Sequence, residues 1–310
     1  MSGRSVTATI DLRDRVGSLK RTLMENERVG YLLSPGLGLG WVLVFLLLPL
    51  TIIVAFSFFR PGPVGTIIYE PTLANYQRFV DATVYQRVIV RSLLVGVATT
   101  LLVLPFGYTL GYFLGRTKSR WTPILLGLVV VQFWVPLVIR TYAWIPIMGR
   151  NGIINNTLVW LGVIREPVAI LYTTHGMLLG LAVSIMPFMV LPVYSIVSTI
   201  DEEVIQAAKT LGASDARAFW EVTLPLSWPG VVSGILFTFI LSAGAYLAPE
   251  LLGGTGDRLI APVIETVFTQ DFNWPFAATL SIVYVVLIVV VLYLFSRRAD
   301  LEESLEGTQL

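Results

Sequence analysis

A few polar and aromatic residues stand inside long apolar stretches, and they are the first candidates for chemistry in this chain. Glu250 is the only acidic residue in those stretches, and Tyr246 precedes it by four residues, one helical turn. Together they would attract a cationic solute, by charge and by a cation–π contact. Arg140 and Tyr142 lie in another apolar stretch. We expect these four residues along a solute path; the alternative is that Glu250 forms a structural pair with Arg140 or ends its helix exposed.

The sequence lacks the residues that most catalytic and metal sites need. The chain has no cysteine, which excludes disulfides, thiolate ligands and cysteine nucleophiles, and its one histidine, His175, cannot build a metal site alone. There is no GxxxxGK[ST] phosphate loop, so a partner would have to bind ATP. A net charge of +1 without a basic stripe gives no sign of nucleic-acid binding. We therefore expect that this chain is not an enzyme and that it binds no metal ion or cofactor.

The elements that position these residues are predicted to be membrane helices. Hydrophobic residues make up 55% of the chain and charged residues 13%, whereas soluble domains carry about 25% charged residues. About 20 consecutive apolar residues suffice to cross a bilayer. The predicted fold is an all-α, polytopic membrane bundle of about six transmembrane helices. The predicted spans are Leu32–Phe59, Val88–Gly115, Thr122–Met148, Thr173–Thr199, Gly230–Leu252 and Phe276–Phe295.

Three features of the spans and loops are interpreted as structural rather than functional. Gly107, Gly111 and Gly115 recur at four-residue spacing in the second span, which predicts close helix packing. Arg91 lies near the end of the same span, and we expect its head group to extend to the membrane interface. In the loop after the first span, residues 73–80 form an amphipathic stretch.

The distribution of basic residues predicts the orientation in the membrane. With both termini inside, the inside segments hold about twice as many Lys and Arg residues as the outside segments, which fits the positive-inside rule. The loops near Asn151, where Asn-Gly signals a turn, and Asp257 are then external. The predicted organisation is a cytoplasmic segment 1–30, a membrane domain 31–298 and a cytoplasmic tail 299–310.

The inside loop between the fourth and fifth spans is predicted to fold as two short helices. Asp201 is a preferred N-cap for a helix of about ten residues, and Gly212 is suited to the position after its end. Ser214 or Asp215 would cap the second helix, which Leu224-Pro225 would end.

One face of the first helix in this loop is apolar. Such a face fits either docking onto a partner protein or a helix lying on the membrane surface. Acidic rather than basic residues lead the helix, which favours docking, since surface helices are rich in Lys and Arg. The apolar residues are Val204, Ala207, Ala208 and Leu211.

The same loop resembles the signature of permease subunits in binding-protein-dependent ABC importers. That family has Glu-Ala-Ala, a glycine four residues after the second alanine, an aliphatic residue ten further on, and then Leu-Pro. Gln206 replaces the glutamate of the family, so an amide stands where the family has a carboxylate. The matching residues are Gln206-Ala207-Ala208, Gly212, Val222 and Leu224-Pro225.

The resemblance implies a division of labour between subunits. Residues 200–229 would be the coupling loop, whose helix inserts into a groove on an ABC ATPase subunit. ATP and Mg²⁺ would be used by that partner. Two such ATPases, a second homologous permease and an external, periplasmic solute-binding protein would complete the complex in the cell inner membrane.

A wider similarity narrows the solute. It covers about residues 31–298 and is to spermidine/putrescine importer permeases, which implies a polyamine as solute. Relatives in this subgroup import other small solutes, so an amino acid or opine-like compound is the alternative. The similar residues are Arg140 to Trp144, Gly152, Asn155, Met186 to Met189, and Trp274 to Phe276.

Two other classes of membrane protein are less well supported. A self-sufficient secondary carrier often has inverted repeats, and the two halves of this chain show no convincing repeat. An intramembrane enzyme would need paired catalytic groups, and the spans offer no His or Asp pair. Co-purification with a soluble ATPase would separate the importer from the carrier.

Overall fold

The computed structural model describes the backbone of residues 27–306 and the side chains of residues 40–63 and 65–297. The predicted cytoplasmic segment, up to residue 26, and the last four residues of the predicted tail lie outside the described residues. The chain divides into two compact units, Met1–Phe56 and Ser57–Leu310.

Helices account for nearly all of the secondary structure. A two-stranded antiparallel hairpin, a 3₁₀ turn at Pro63–Gly65, another at Gln132–Trp134 and a π-helical turn at Phe219–Thr223 interrupt the helical order. The elements in chain order are α1 (Glu27–Ser57), β1 (Phe59–Pro61), β2 (Ile67–Pro71), α2 (Ala74–Asp81), α3 (Thr83–Arg116), α4 (Thr122–Val131), α5 (Leu137–Met148), α6 (Ile153–Trp160), α7 (Thr174–Ile185), α8 (Pro187–Val197), α9 (Glu202–Thr210), α10 (Asp215–Ala218), α11 (Leu224–Ala243), α12 (Leu247–Leu252), α13 (Ile260–Thr269) and α14 (Trp274–Glu306).

The number of apolar helices agrees with the predicted fold class. Among the described residues, five helices are long and apolar enough to cross a membrane, and one bent pair would supply a sixth span. The five spans are Gly40–Ser57, Thr83–Arg116, Thr174–Val197, Asp215–Ala243 and Trp274–Arg297. The prediction of an all-α bundle of about six spans is therefore confirmed.

The third predicted span, Thr122–Met148, is wrong as a single helix. The chain bends by 101° between Thr122–Trp134 and Leu137–Trp160. The break lies at Val135 and Pro136, which have extended ψ angles of 121° and 134°. A residue before proline is disfavoured in the helical region, and this restriction ends the first helix.

The bounds of the fifth predicted span, Gly230–Leu252, are also wrong, because the observed span Asp215–Ala243 begins and ends earlier. Helix α11 ends at Ala243, and Gly244 follows at its C-terminus. A separate short helix, α12, then begins at Leu247, with Pro249 in its first turn. Proline is tolerated there because the first N–H groups of a helix have no intrahelical partner. Tyr246 and Glu250 therefore lie outside the spanning helix.

Helices α3, α8 and α11 pack closely as the centre of the second unit. Buried side chains of all three, among them Val103, Met189 and Val231, form one cluster. A Cβ atom at Gly107 would lie 2.5 Å from Cγ of Met189, and one at Gly111 would lie 2.8 Å from the carbonyl oxygen of Val190. Larger residues would push α3 and α8 apart, so the packing interpretation of the glycine ridge is confirmed.

The second unit begins with the hairpin and helix α2. The side-chain amide of Asn75, in α2, donates to the carbonyl oxygens of Ser57 at 3.0 Å and Phe59 at 2.8 Å. Asn75 is buried, and these two bonds fix the start of α2 against the hairpin. Helix α2 confirms the predicted amphipathic stretch, whereas the short hairpin was not predicted.

Candidate functional site

Segment 200–229 folds as two short helices around a glycine turn. Gly212 follows helix α9 and has a φ angle of +97°. The N–H of Gly212 donates to the carbonyl of Lys209 at 2.9 Å. Ser214 Oγ accepts from the N–H of Arg217 at 3.3 Å and caps α10. The predicted glycine turn at Gly212 and the predicted cap at Ser214 are both confirmed. Asp201 takes the extended N-cap conformation, but its side chain makes no capping hydrogen bond.

Packing and polar contacts fix this segment to the end of α3. The ring of Phe219 meets the rings of Tyr108 and Tyr112 edge-on, at centroid distances of 6.1 Å and 5.3 Å. Arg116, the last residue of α3, donates to the carbonyl of Ile200 at 3.1 Å. Movement of this segment would therefore be transmitted directly to α3.

Helix α9 buries one side and leaves the other free. Ile205 is buried, 8% exposed, and faces the bundle. In contrast, Leu211 is 90% exposed and Val204 is 45% exposed, and Gln206 and Ala207 are exposed beside them. Ala208 is half-buried. An exposed apolar surface on a helix fixed from behind is suited to binding another protein.

Two charged residues of α9, Glu202 and Lys209, form ion pairs at the surface. Lys118 Nζ lies 3.0 Å from Glu202 Oε2, and Lys209 Nζ lies 2.6 Å from Asp215 Oδ1. The hydrogen bond and the charge of Lys118 lower the pKa of the Glu202 carboxyl. A cavity of about 200 Å³ lies behind α9, and its lining includes Tyr112, Arg116, Glu202, Lys209 and Asp215.

The expected end of the second helix at Leu224-Pro225 is wrong. The chain continues through the π-helical turn Phe219–Thr223 directly into α11. The N–H of Leu224 donates to the carbonyl of Phe219, five residues earlier. Pro225 lies in the first turn of α11, where its missing N–H is tolerated. Leu224 is half-buried and Pro225 is exposed.

The structure does not pair Arg140 with Glu250. Within the described residues, no ion pair joins these two side chains; the guanidinium of Arg140 instead donates to the carbonyl oxygens of Val135 and Ser184, both at 3.3 Å. The buried Nε of Arg140 has no partner within the described chain. Tyr142, two residues on, is exposed.

Tyr246 and Glu250 remain neighbours on the exposed start of α12. The N–H of Glu250 donates to the carbonyl of Tyr246 at 3.3 Å, and both side chains are exposed. The charge of Glu265 is the largest cause that raises the pKa of the Tyr246 phenol, ahead of burial and of Glu250. Sequence reasoning missed Glu265 because the ten-residue helix α13 is too short to count as a span; its mainly apolar sequence was the available signal.

Arg91 does not extend freely to an interface. Its guanidinium binds the carboxylate of Asp257 and the carbonyl of Gly256. The buried carboxylate of Asp257 also accepts from Thr174 Oγ1 at 2.6 Å and from the N–H of Gly254 at 3.0 Å. Asp257 thus joins the loop before α13 to helices α3 and α7. The sequence did not indicate this pairing, because the partner of Arg91 lies 166 residues later in the chain.

No group of three or more His, Asp or Glu side chains that could hold a metal ion occurs in the part of the chain that the structure describes.

The turn predicted at Asn151-Gly152 is present, with the N–H of Gly152 donating to the carbonyl of Gly149 at 2.8 Å. Asn155 is buried, and its amide donates to the carbonyl of Val168 at 3.0 Å.

Comparison with known sequences gives consistent relatives. Residues 107–300 match the family described as binding-protein-dependent transport system inner membrane component. The chain is 34% identical over 262 residues to the spermidine/putrescine transport system permease protein PotB of Salmonella typhimurium strain SL1344, covering 84% of this chain and 91% of the relative. PotB of Escherichia coli K12 is 33% identical, with 84% and 95% covered.

Solved structures share the fold. A chain of a bacterial ABC transporter involved in the import of the acidic polysaccharide alginate has a TM-score of 0.72 at 17% identity, with 91% of this chain and 98% of that chain covered. A chain of the MetNI methionine ABC transporter has a TM-score of 0.51 at 19% identity, covering 69% and 92%. This chain therefore belongs to the family of binding-protein-dependent transport system inner membrane components, and it is a multi-pass permease subunit of an ABC importer.

Proposed function

We propose that this permease forms half of the translocation path for a polyamine such as spermidine or putrescine. The observation that carries the proposal is 34% identity, over 84% of the chain, to a permease named for these solutes. The negative charges of Glu265 and Glu250 raise the pKa of the Tyr246 phenol, and carboxylates near an aromatic ring suit a cationic solute. Arg140 and Tyr142 complete the proposed path.

The proposed coupling loop is segment 200–229, with Gln206, Ala207, Ala208, Gly212 and Leu224-Pro225 as its contact and turn residues. The exposed side of α9 supports this role, because a helix held against α3 from behind can transmit an ATPase movement to the spans. ATP and Mg²⁺ would be used by two ABC ATPase partners. A second homologous permease and an external solute-binding protein would complete the complex.

The proposed orientation has both termini in the cytoplasm, with residues 31–298 as the membrane domain. The excess of Lys and Arg in the inside segments supports it. Since the chain has no cysteine, single cysteines at Ser5, Asn151 and Thr308 can be labelled with a membrane-impermeant thiol reagent. We expect labelling only at Asn151 in intact cells. Labelling at Ser5 or Thr308 would overturn the orientation.

The solute is tested by uptake in cells expressing the complete complex. We expect radiolabelled spermidine or putrescine to accumulate only when the permease and an intact ATPase are both present. Competition by unlabelled amino acids or opines, with no competition by polyamines, would favour the alternative solute class.

The partners are tested by purifying the tagged permease from membranes. We expect an ABC ATPase and a second permease to co-purify. Uptake by the permease alone, without any ATPase, would instead indicate a self-sufficient carrier.

A further inference from the structure

The break in the third span leaves backbone groups that need partners. Helix α4 passes into the 3₁₀ turn Gln132–Trp134, and the chain is extended at Val135 and Pro136 before α5 begins. Broken backbone at membrane depth is tolerated where neighbouring side chains supply the missing hydrogen bonds. Here Arg140 of α5 donates to the carbonyl of Val135 in the break.

A second set of free carbonyls lies at the end of α7. The last carbonyls of a helix have no intrahelical N–H partner, and Pro187, at the start of α8, has no N–H to offer Val183 four residues earlier. The side-chain amide of Gln132 donates to this carbonyl at 2.9 Å. A residue of one break therefore satisfies the orphaned group of the other.

Arg140 makes a second link between the same two places. One guanidinium nitrogen donates to the carbonyl of Ser184, next to Val183, and another donates to the carbonyl of Val135 in the break. A single side chain thus binds both interruptions. Because both acceptors are neutral carbonyls, the guanidinium contributes geometry and five fixed donors rather than an ion pair.

An aromatic contact lies between these hydrogen bonds. Phe133, beside Gln132, meets Phe188, beside Pro187, with ring centroids 5.2 Å apart and planes at 80°. This edge-to-face arrangement is favourable for aromatic pairs. Three independent contacts therefore join the break before α5 to the junction of α7 and α8.

We infer that Gln132 and Arg140 are positioning residues that hold the two proline breaks together as one clamp, so that the α4–α5 break and the α7–α8 junction move as a single body during transport. The inference rests on the proposed function, in which an ATPase drives movement of the spans. In the clamp, Gln132 binds the carbonyl of Val183 and Arg140 binds that of Ser184, while the ring of Phe133 contacts the ring of Phe188. Its rigidity would keep the path residue Tyr142, two positions after Arg140, in place while other helices move.

The first test asks whether the clamp opens during the cycle. The cysteine-free chain allows a Phe133→Cys/Phe188→Cys pair to be joined by a short thiol-reactive cross-linker in the assembled complex, with formation of the link checked by peptide mass. We expect the link to form and polyamine uptake by the same variant to be unchanged by it. Failure to form, or loss of uptake on linking, would overturn the clamp.

The second test asks what the clamp contributes to coupling. Gln132→Leu leaves the Val183 carbonyl without its partner, so we expect solute transported per ATP hydrolysed to fall by about fivefold or more in the reconstituted complex, with ATPase activity retained. The matched control is Gln270→Leu, at an exposed glutamine outside the clamp. An unchanged ratio in Gln132→Leu would contradict the inference.

These outcomes are separable from failure of the proposed function. If the unlinked parent complex takes up no polyamine, or no ATPase co-purifies, the proposed function fails. If parent uptake is normal and only the clamp variants behave contrary to expectation, the clamp alone is wrong.

Discussion

The coupling loop and the proline breaks differ in how far apart along the chain their contacting residues lie. In the coupling loop, Lys209 pairs with Asp215 only six positions later, across the Gly212 turn. At the breaks, Gln132 binds the carbonyl of Val183, 51 residues away. The turn between α9 and α10 can therefore form locally, although the loop is attached to the bundle through residues such as Arg116, 84 positions before Ile200. The contact between the breaks forms only when the spans assemble.

This difference separates two kinds of defect. Changes at long-range contacts should lower the stability of the bundle or the transport step itself. Changes in the coupling loop should leave the bundle intact and weaken its connection to the ATPase. Four substitutions test that separation.

The largest expected effect is on stability, at Asp257. Asp257→Ala removes the partner of Arg91 and leaves the Thr174 hydroxyl without its acceptor. Asp257 is buried but the side chain of Arg91 is 38% exposed, so the cost should be below the roughly 3 kcal/mol of a fully buried pair. The midpoint of thermal unfolding in detergent should still fall. The control is Asp271→Ala, at an exposed aspartate. Equal midpoints for the two variants would show that the Arg91–Asp257 contact does not hold the bundle.

The next effect is on uptake, at Glu250. If the solute is a polyamine, Glu250→Gln removes a charge partner worth about 2 kcal/mol, or roughly thirtyfold in uptake. Tyr246→Phe keeps the aromatic face and should cost much less. Both side chains are exposed, so protein levels should stay constant. Parental uptake by Glu250→Gln, measured with radiolabelled spermidine, would mean that Glu250 is not a cation site.

A substitution at Gly212 should cost less folding free energy, yet it should still prevent coupling between the permease and the ATPase. Apart from its two chain neighbours, no atom of the described residues lies within 4 Å of a Cβ placed there, so a substitution meets mainly the strain of its positive φ. Gly212→Val should cost about 1 kcal/mol or more in the native turn and re-aim α9. We expect normal insertion but loss of transport and of ATPase co-purification.

Gly212→Asn is the matched variant, because asparagine tolerates positive φ better than valine. It should retain much of the ATPase association. Normal transport by Gly212→Val would remove the coupling account of this loop.

The smallest effect is expected at the exposed Lys118–Glu202 pair. Because Lys118 lowers the pKa of the Glu202 carboxyl, the contribution of this pair to the folded loop is present above the ordinary pKa of a glutamate and is lost as pH falls through the lowered value. Both side chains are largely exposed, so the contribution is minor. Lys118→Gln should leave ATPase association at neutral pH nearly unchanged and reduce its acid sensitivity. A large loss at neutral pH would show that the pair is essential for docking.

The same contrast explains which features were predictable from sequence. Gly212 and the Ser214 cap follow from local backbone chemistry, and both are present as predicted. The Arg91–Asp257 contact depends on a partner far along the chain, so no local pattern could indicate it. The break at Pro136 is intermediate: the proline was visible, but whether a membrane helix kinks or breaks there depends on neighbours such as Gln132.

The π-helical turn at Phe219–Thr223 sets the direction in which the coupling loop points. Its hydrogen bonds reach back five residues, so it contains one residue more than an α-helical turn. One residue corresponds to a rotation of about 100° around a helix axis, and α10 is rotated by that angle relative to an unbroken α-helix leading into α11. If the loop binds an ATPase as proposed, the direction of the contact depends on the number of residues in this turn and on its hydrogen-bond pattern rather than on the residue types. Deleting one residue within the turn should leave an ordinary α-helical turn and keep the direction of α9, and cross-linking between α9 and the proposed ATPase partner would test this.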